Sequence, residues 1–204
     1  MAYEPVGFDL DMTLIDARPA IMAAWSALAR ETGTEVDLAA VDSRLGIKLE
    51  DELGYWFPAE DLVQAAHVYR RHYVDLAPHL TVALPGAHEA FAAVRQAGQP
   101  AVIITAKHAV SVEPCLAATG LRADEVFSHV HGTEKAAVLR RIGATAYVGD
   151  TPPDVIAASG IGILAVGVAT GSFGRRELLE AGASVVLDSL GEFPSWYASW
   201  RKES

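Results

Sequence analysis

Asp9, Asp11, Thr105, Lys135, Asp150 and Asp154 have the types and spacing to act on a charged ligand. The first two end the stretch Val6-Gly7-Phe8-Asp9-Leu10-Asp11-Met12-Thr13-Leu14. It opens as a short apolar run, the pattern of a buried strand. It then delivers two carboxylates with one residue between them. Unpaired carboxylates are costly to bury, and the C-terminal end of a strand is where open parallel sheets bind ligands. Asp is also common at turns and helix N-caps, so this segment alone leaves open a pair of solvated turn aspartates. Val102-Ile103-Ile104-Thr105 is a second apolar strand, ending in a hydroxyl. Lys135 opens a helical pattern, and Ala146-Tyr147-Val148-Gly149-Asp150 is a third strand, with Asp154 four residues past Asp150. Alternate residues of a strand point to opposite faces, so Asp9 and Asp11 reach one site only if the chain has begun to turn between them.

In this order the four stretches resemble the haloacid dehalogenase (HAD) superfamily of phosphotransferases and hydrolases. Its pattern is DxDxT, then an apolar strand ending in Thr or Ser, then a lone Lys, then GDxxxD. The resemblance covers the whole chain and is nearest to the phosphoglycolate-phosphatase-like branch. It implies that Asp9 is the nucleophile, forming an aspartyl-phosphate, and that Asp11 is the acid and then the base. It implies that Thr105 donates to a phosphoryl oxygen and that Lys135 balances negative charge. Mg²⁺ would be held by Asp9, the carbonyl of Asp11 and Asp150, with Asp154 bound through water or behind the ligands; hard cations prefer such oxygens. Two neighbouring carboxylates have their pKa values pushed apart, which suits one to stay ionised and the other to hold a proton.

Residue by residue, Thr105 could be an ordinary strand-end Thr, Lys107 competes with Lys135, and Asp154 could cap the helix starting near Pro153. Lys107 and Ala106, just past Thr105, are read as substrate-binding. Arg44-Leu45-Gly46-Ile47-Lys48 resembles the loop that faces the site in this branch, which makes Arg44 and Lys48 candidates for a carboxylate or second phosphate of the substrate; the alternative is solvated helix-end cations. The chain departs from the family pattern at Met12, where Gly is usual. It also has Thr105-Ala106-Lys107 in place of Thr-Asn-Lys and lacks Lys-Pro-x-Pro around Lys135. None of these removes a reacting group. The rival readings are a haloacid dehalogenase, which needs neither Mg²⁺ nor the Asp11 acid, a phosphoglucomutase-type phosphotransferase, and a phosphate- or metal-binding regulatory protein without catalysis.

The elements that must position these residues follow from periodicity. Strands are predicted near 101–105, 126–130, 145–149, 163–168 and 184–187. Helices are predicted at 87–97, 109–119, 134–142, 153–159 and 174–181. Such alternation argues α/β, a doubly wound parallel sheet. Between the first strand and the proline-marked return near Pro85-Gly86, only helical patterns occur, over 18–32, 38–45, 49–56 and 60–76. The chain is therefore read as a core of residues 1–16 and 80–204 with a small α-helical cap, residues 17–79, inserted after the first strand. The cap is where substrate choice is expected, since a lid excludes water and contacts the leaving group.

Composition bounds the partners. Hydrophobic residues make up 51% and charged residues 21%, enough for a packed core. The net charge of −10 argues against nucleic acid or an anionic membrane as a main partner. It leaves a small phosphorylated metabolite as the expected partner, since local cations can invert the field at a site. The single cysteine, Cys115, excludes an intramolecular disulfide framework and a Cys-rich zinc site. No leader pattern opens the sequence and no run approaches a membrane span, so a cytoplasmic protein, monomer or homodimer, is expected.

Overall fold

A computed structural model describes residues 4–203. They fold into two compact units. The first contains residues 4–16, 83–107 and 121–203, and the second residues 17–82 and 108–120.

The first unit is built on six parallel strands: β1 (Val6–Phe8), β4 (Ala101–Ile104), β5 (Glu125–Phe127), β6 (Ala146–Gly149), β7 (Leu164–Val168) and β8 (Val185–Leu187). Two further short strands, β2 (Ile15–Asp16) and β3 (Val82–Ala83), pair separately where the chain passes between units. The order of the large sheet is β5-β4-β1-β6-β7-β8. Helices α5 (Ala87–Gln96), α7 (Thr133–Ile142), α8 (Pro152–Ser159), α9 (Arg175–Glu180) and α10 (Phe193–Glu203) complete the unit. The inner strands β1, β4, β6 and β7 are apolar and almost wholly buried because both faces are covered, whereas the edge strand β5 opens with the exposed Glu125. On one face Phe8 packs between Phe91 and Phe193, with centroids 5.1 and 5.5 Å away. On the other, Val102, Ile104, Leu139, Tyr147 and Val155 form one cluster. The aromatic C-terminal segment packs on the core: Phe193 and Tyr197 are buried and stack at 5.1 Å.

The order matters because β1 lies between β4 and β6. Phe8 is in register with Ile103 on one side and Val148 on the other. The residues following these three strands, Asp9, Thr105 and Asp150, therefore emerge side by side where the strand order reverses about β1. Such a switch point leaves a crevice at the carboxyl ends of the strands.

The second unit is helical. It contains α1 (Arg18–Thr32), α2 (Leu38–Ser43), α3 (Leu49–Leu53), α4 (Leu62–Leu80) and α6 (Ala109–Thr119). Trp25 of α1 meets Tyr69 of α4 at 5.3 Å. Helix α6 follows β4 in the chain but packs on α4, where Cys115 Sγ lies 3.2 Å from the Tyr73 hydroxyl.

Candidate active site

The turn anticipated between the two aspartates is present. Asp9 extends β1, its N–H donating to the Val148 carbonyl at 2.8 Å. Leu10 is buried, and its carbonyl accepts from both Leu14 N (2.9 Å) and Ile15 N (3.1 Å). Asp11 bridges to Ile15 across the reversal. Met12, inside it, has φ 61°. That left-handed conformation is costly for a side-chain-bearing residue and free for glycine, which explains why glycine is the family's usual choice there. The Thr170 hydroxyl donates to the Met12 carbonyl and braces the strained residue.

Lys135 is the hub of the site. It is the third residue of α7 and only 5% exposed. Its Nζ donates to Asp9 Oδ1 at 2.7 Å and to Asp154 Oδ1 at 2.6 Å. The other Asp154 oxygen accepts from the N–H and hydroxyl of Thr151, closing a capping box at the start of α8. Asp154 thus both caps its helix and anchors Lys135. Asp150 is buried at the end of β6 and accepts from the Thr13 hydroxyl at 2.9 Å. Two glycines make room for these carboxylates. A Cβ at Gly149 would lie 2.4 Å from Asp154 Cβ, and one at Gly171 would lie 1.9 Å from Asp150 Oδ2.

Thr105 is buried beyond β4, and its Oγ accepts the Lys107 N–H at 3.1 Å. The turn through Ala106 is held from behind. His129 N donates to the Lys107 carbonyl and Val130 N to the Thr105 carbonyl, each at 2.9 Å. The Lys107 ammonium lies 3.1 Å from Asp11 Oδ1, with its side chain 8% exposed. Each of the two front aspartates therefore has its own lysine, Asp9 with Lys135 and Asp11 with Lys107.

The electrostatics follow from burial. Desolvation pushes the Asp9 carboxyl up to about 7. Lys135 opposes that rise, while Asp154 and Asp11 add to it. Burial, then Asp9 and Asp154, raise Asp150 well above the usual carboxylate range. Burial works against the Lys135 ammonium, but Asp154 and Asp9 outweigh it and hold the lysine charged. Four carboxylates (Asp9, Asp11, Asp150, Asp154) stand against two ammonium groups (Lys107, Lys135), so full ionisation leaves two uncompensated negative charges. Asp9, Asp150 and Asp154 each offer an oxygen within 4.8 Å of the others. The arrangement suits a divalent cation with hard-oxygen preference.

Arg44 and Lys48 belong to the second unit. Lys48 is exposed at the N-cap of α3. Arg44 forms a two-pronged pair with Glu52, at 2.8 and 2.6 Å, and its guanidinium lies 4.4 Å from the centroid of the Tyr55 ring. Trp56 Nε1 also donates to Glu52, which is 4% exposed. Removing one partner of such a pair leaves a buried charge uncompensated. Arg44→Ala is therefore expected to lower the thermal midpoint by a few degrees. The Arg44→Ala, Glu52→Ala double variant is expected to lose less than the two single losses combined, as scanning calorimetry would measure. A single variant with an unchanged midpoint would refute a structural role for the pair.

Thr13, Thr151, Thr170 and Gly171 have roles that sequence reasoning missed. The signals available were the last position of DxDxT for Thr13 and, for Thr151, a hydroxyl residue directly before two prolines at the start of α8.

Residues 6–159 match the haloacid dehalogenase-like hydrolase family. The chain is 30% identical over 209 residues to the probable phosphatase IndB of Dickeya dadantii, covering 91% of this chain and 89% of that protein. It is 28% identical over 207 residues to a plasmid-encoded phosphoglycolate phosphatase of Cupriavidus necator, covering 92% and 90%. Among solved structures, a hydrolase from Pseudomonas syringae superposes with TM-score 0.79 at 22% identity, covering 96% of this chain and 98% of that one. CbbY from Rhodobacter sphaeroides, solved with phosphate, superposes with TM-score 0.80 at 18% identity, covering 93% and 96%. On the extent of the family match, and with a relative at 30% identity across nine-tenths of its length, the chain belongs to the haloacid dehalogenase-like hydrolase family.

Proposed function

We propose that the protein is a Mg²⁺-dependent phosphatase that hydrolyses a small phosphorylated metabolite through an aspartyl-phosphate on Asp9. The observation that carries the reading is the buried Lys135 ammonium bridging Asp9 and Asp154 beside Asp150. That geometry puts a cation next to a carboxylate nucleophile, as phosphoryl transfer requires.

The residues fit the metal. Fully ionised, the site would carry two negative charges beyond its own cations, and Thr13 and Lys135 occupy one oxygen each of Asp150 and Asp9, leaving the second oxygen of each outside those bonds. Asp9, Asp150 and the carbonyl of Asp11 would hold the ion. Asp154, with both oxygens given to Lys135 and Thr151, supports the lysine. When bound, the ion neutralises charge on the phosphoryl oxygens and on Asp9. The chain's own groups carry out the transfer. An Asp9 oxygen attacks phosphorus, and the bond to the leaving oxygen breaks. Asp11, held by Lys107 at 3.1 Å, gives that oxygen a proton. A water then loses its proton to Asp11 and attacks phosphorus, releasing phosphate and restoring Asp9. The Thr105 hydroxyl and Lys135 steady the phosphoryl oxygens throughout.

Phosphoglycolate is the first substrate to try, on the similarity to the Cupriavidus necator phosphatase. Residues 17–79 act as the cap that selects it, with the Arg44–Lys48 loop as the candidate reader. We place the enzyme in the cytoplasm as a monomer or homodimer; among the described residues no helix is long and apolar enough to cross a membrane. Dehalogenation is disfavoured, since it has no use for the Asp11–Lys107 pair.

The test is phosphate release from a panel of phosphorylated metabolites. Release is expected with Mg²⁺, to fall to background in excess chelator, and to return when Mg²⁺ is restored. Mg²⁺ should also raise the thermal midpoint of the chelator-treated protein, because a ligand of the folded state alone stabilises it. Full activity in excess chelator would remove the metal from the mechanism.

A further inference from the structure

Tyr147 is 1% exposed, as deep as the aliphatic core around it, yet it carries a hydroxyl and touches three parts of the site. The hydroxyl donates to the carbonyl of Ile104 at 2.7 Å, the residue immediately before Thr105. The ring lies under the Lys135 ammonium, its centroid 5.5 Å from Nζ, within reach of a cation–π contact. The ring also occupies the space that a side chain at position 7 would need: a Cβ on Gly7 would come within 2.8 Å of Tyr147 Cδ2. Gly7 stands two residues before Asp9. An ammonium has three N–H groups, and Asp9 and Asp154 take two of those on Lys135. A leucine or phenylalanine would fill the space without burying a hydroxyl, which a core accepts only when it is hydrogen-bonded. The chemistry written above makes no use of this residue.

We propose that Tyr147 is a positioning residue. Its ring fixes the Lys135 ammonium against Asp9, and its hydroxyl ties that ammonium's support to the backbone that presents Thr105. The kinetic consequence rests on the phosphatase reading; the positioning itself does not.

Three variants separate positioning from packing. Tyr147→Phe keeps the ring and loses the hydroxyl, with its bond to Ile104 and its contact with Lys135. Tyr147→Leu loses the ring as well. Tyr197→Phe is the control, since it also removes a buried tyrosine hydroxyl from its partner, Gln99, outside the Asp9–Lys135–Asp154 cluster. With nitrophenyl phosphate and Mg²⁺, kcat is expected to fall about 5-fold in Tyr147→Phe and about 100-fold in Tyr147→Leu, corresponding to one hydrogen bond and to that bond plus a desolvated cation–π contact. KM should stay within about twofold, because the lost interactions act on the transition state. Tyr197→Phe should keep the wild-type kcat. A second readout is independent of turnover. The Lys135 Nζ–H signal in a ¹⁵N-resolved spectrum, identified by its loss in Lys135→Met, should shift when the ring is removed in Tyr147→Leu. An ammonium signal indifferent to Tyr147→Leu, or a kcat in Tyr147→Phe equal to that of Tyr197→Phe, overturns the proposal. Should Tyr147→Leu fail to fold, the comparison of the two Phe variants decides. If the wild-type protein releases no phosphate, the phosphatase reading has failed, and the ammonium signal alone decides the positioning.

Discussion

Asp9→Asn is expected to give no burst of nitrophenol from nitrophenyl phosphate, whereas Asp11→Asn gives a burst of about one equivalent followed by slow turnover. The two aspartates stand two residues apart and each is paired with a lysine, so an account limited to folding treats them alike. Their settings do not. Asp9 is buried and held at 2.7 Å by Lys135, beside Asp150 and Asp154. Asp11 lies in the turn that begins at Leu10, with its side chain 27% exposed, paired with Lys107. An amide at position 9 is no nucleophile, so no phosphoenzyme forms with any substrate. An amide at position 11 leaves the attack intact but gives the departing oxygen no proton. For an alkyl phosphate the loss of general acid catalysis should cost about 10²–10⁴-fold. Nitrophenolate leaves without that proton, so the first step survives, and hydrolysis of the phosphoenzyme, which needs the base, becomes slow. Rapid mixing with nitrophenyl phosphate measures the burst, and acid quenching traps the phosphoenzyme. Identical behaviour of the two variants on the aryl substrate would refute the division of labour.

The residues this argument uses were legible because each sits where an apolar run gives way to a polar side chain. Asp9, Thr105 and Asp150 end their strands, and Lys135 and Asp154 open helices. The register that puts three strand ends side by side is set by the strand order, with β1 between β4 and β6, and no local pattern encodes that order. Thr13 and Asp150, 137 residues apart, are partners because of it. Lys107 stands beside Asp11 because the chain reverses at Ala106 and is pinned there by His129 and Val130. The same pinning shortens a predicted strand. Instead of 126–130, β5 ends at Phe127, and the chain turns through His129, at φ 58°, to reach the Thr105–Lys107 turn. Helix α6 has the alternating β-α position of a sheet-covering helix, but it packs on α4, where its buried Cys115 meets Tyr73. Periodicity reports that a face is buried, not against which element.

Lys135→Met carries the largest expected effect on stability, and the size of that effect depends on pH. In chelator at pH 8 the variant is expected to be about 3–5 kcal/mol less stable than the wild type, the usual cost of removing one partner from a buried charge cluster. The pH dependence follows from Asp9, whose carboxyl rises from an ordinary 3.8 to about 7 on folding. A raised carboxyl contributes stability that is fully present below the unfolded value, near 4, and is lost as pH climbs through the folded value, near 7. Asp150 is raised too and acts in the same direction. Lys135 is what limits the rise of Asp9, so its removal moves the folded value higher and lets the loss continue above pH 7. At pH 4 to 5 the balance inverts. Asp9 and Asp150 are then protonated in the fold, and the wild type still buries an ammonium with fewer carboxylates to match it, while the variant buries a thioether of similar length. The gap between the two proteins should therefore widen from pH 5 to pH 8 and close or reverse at the acid end. Urea melts at pH 5, 6.5 and 8 in excess chelator, with slopes compared to exclude a change in unfolding cooperativity, measure it. Phosphate release should fall in parallel at pH 7, by about 10²–10³-fold, as for other lost charge-stabilising groups. A gap of the same size at every pH would mean that Lys135 serves packing and that the carboxylates around it are held by something else.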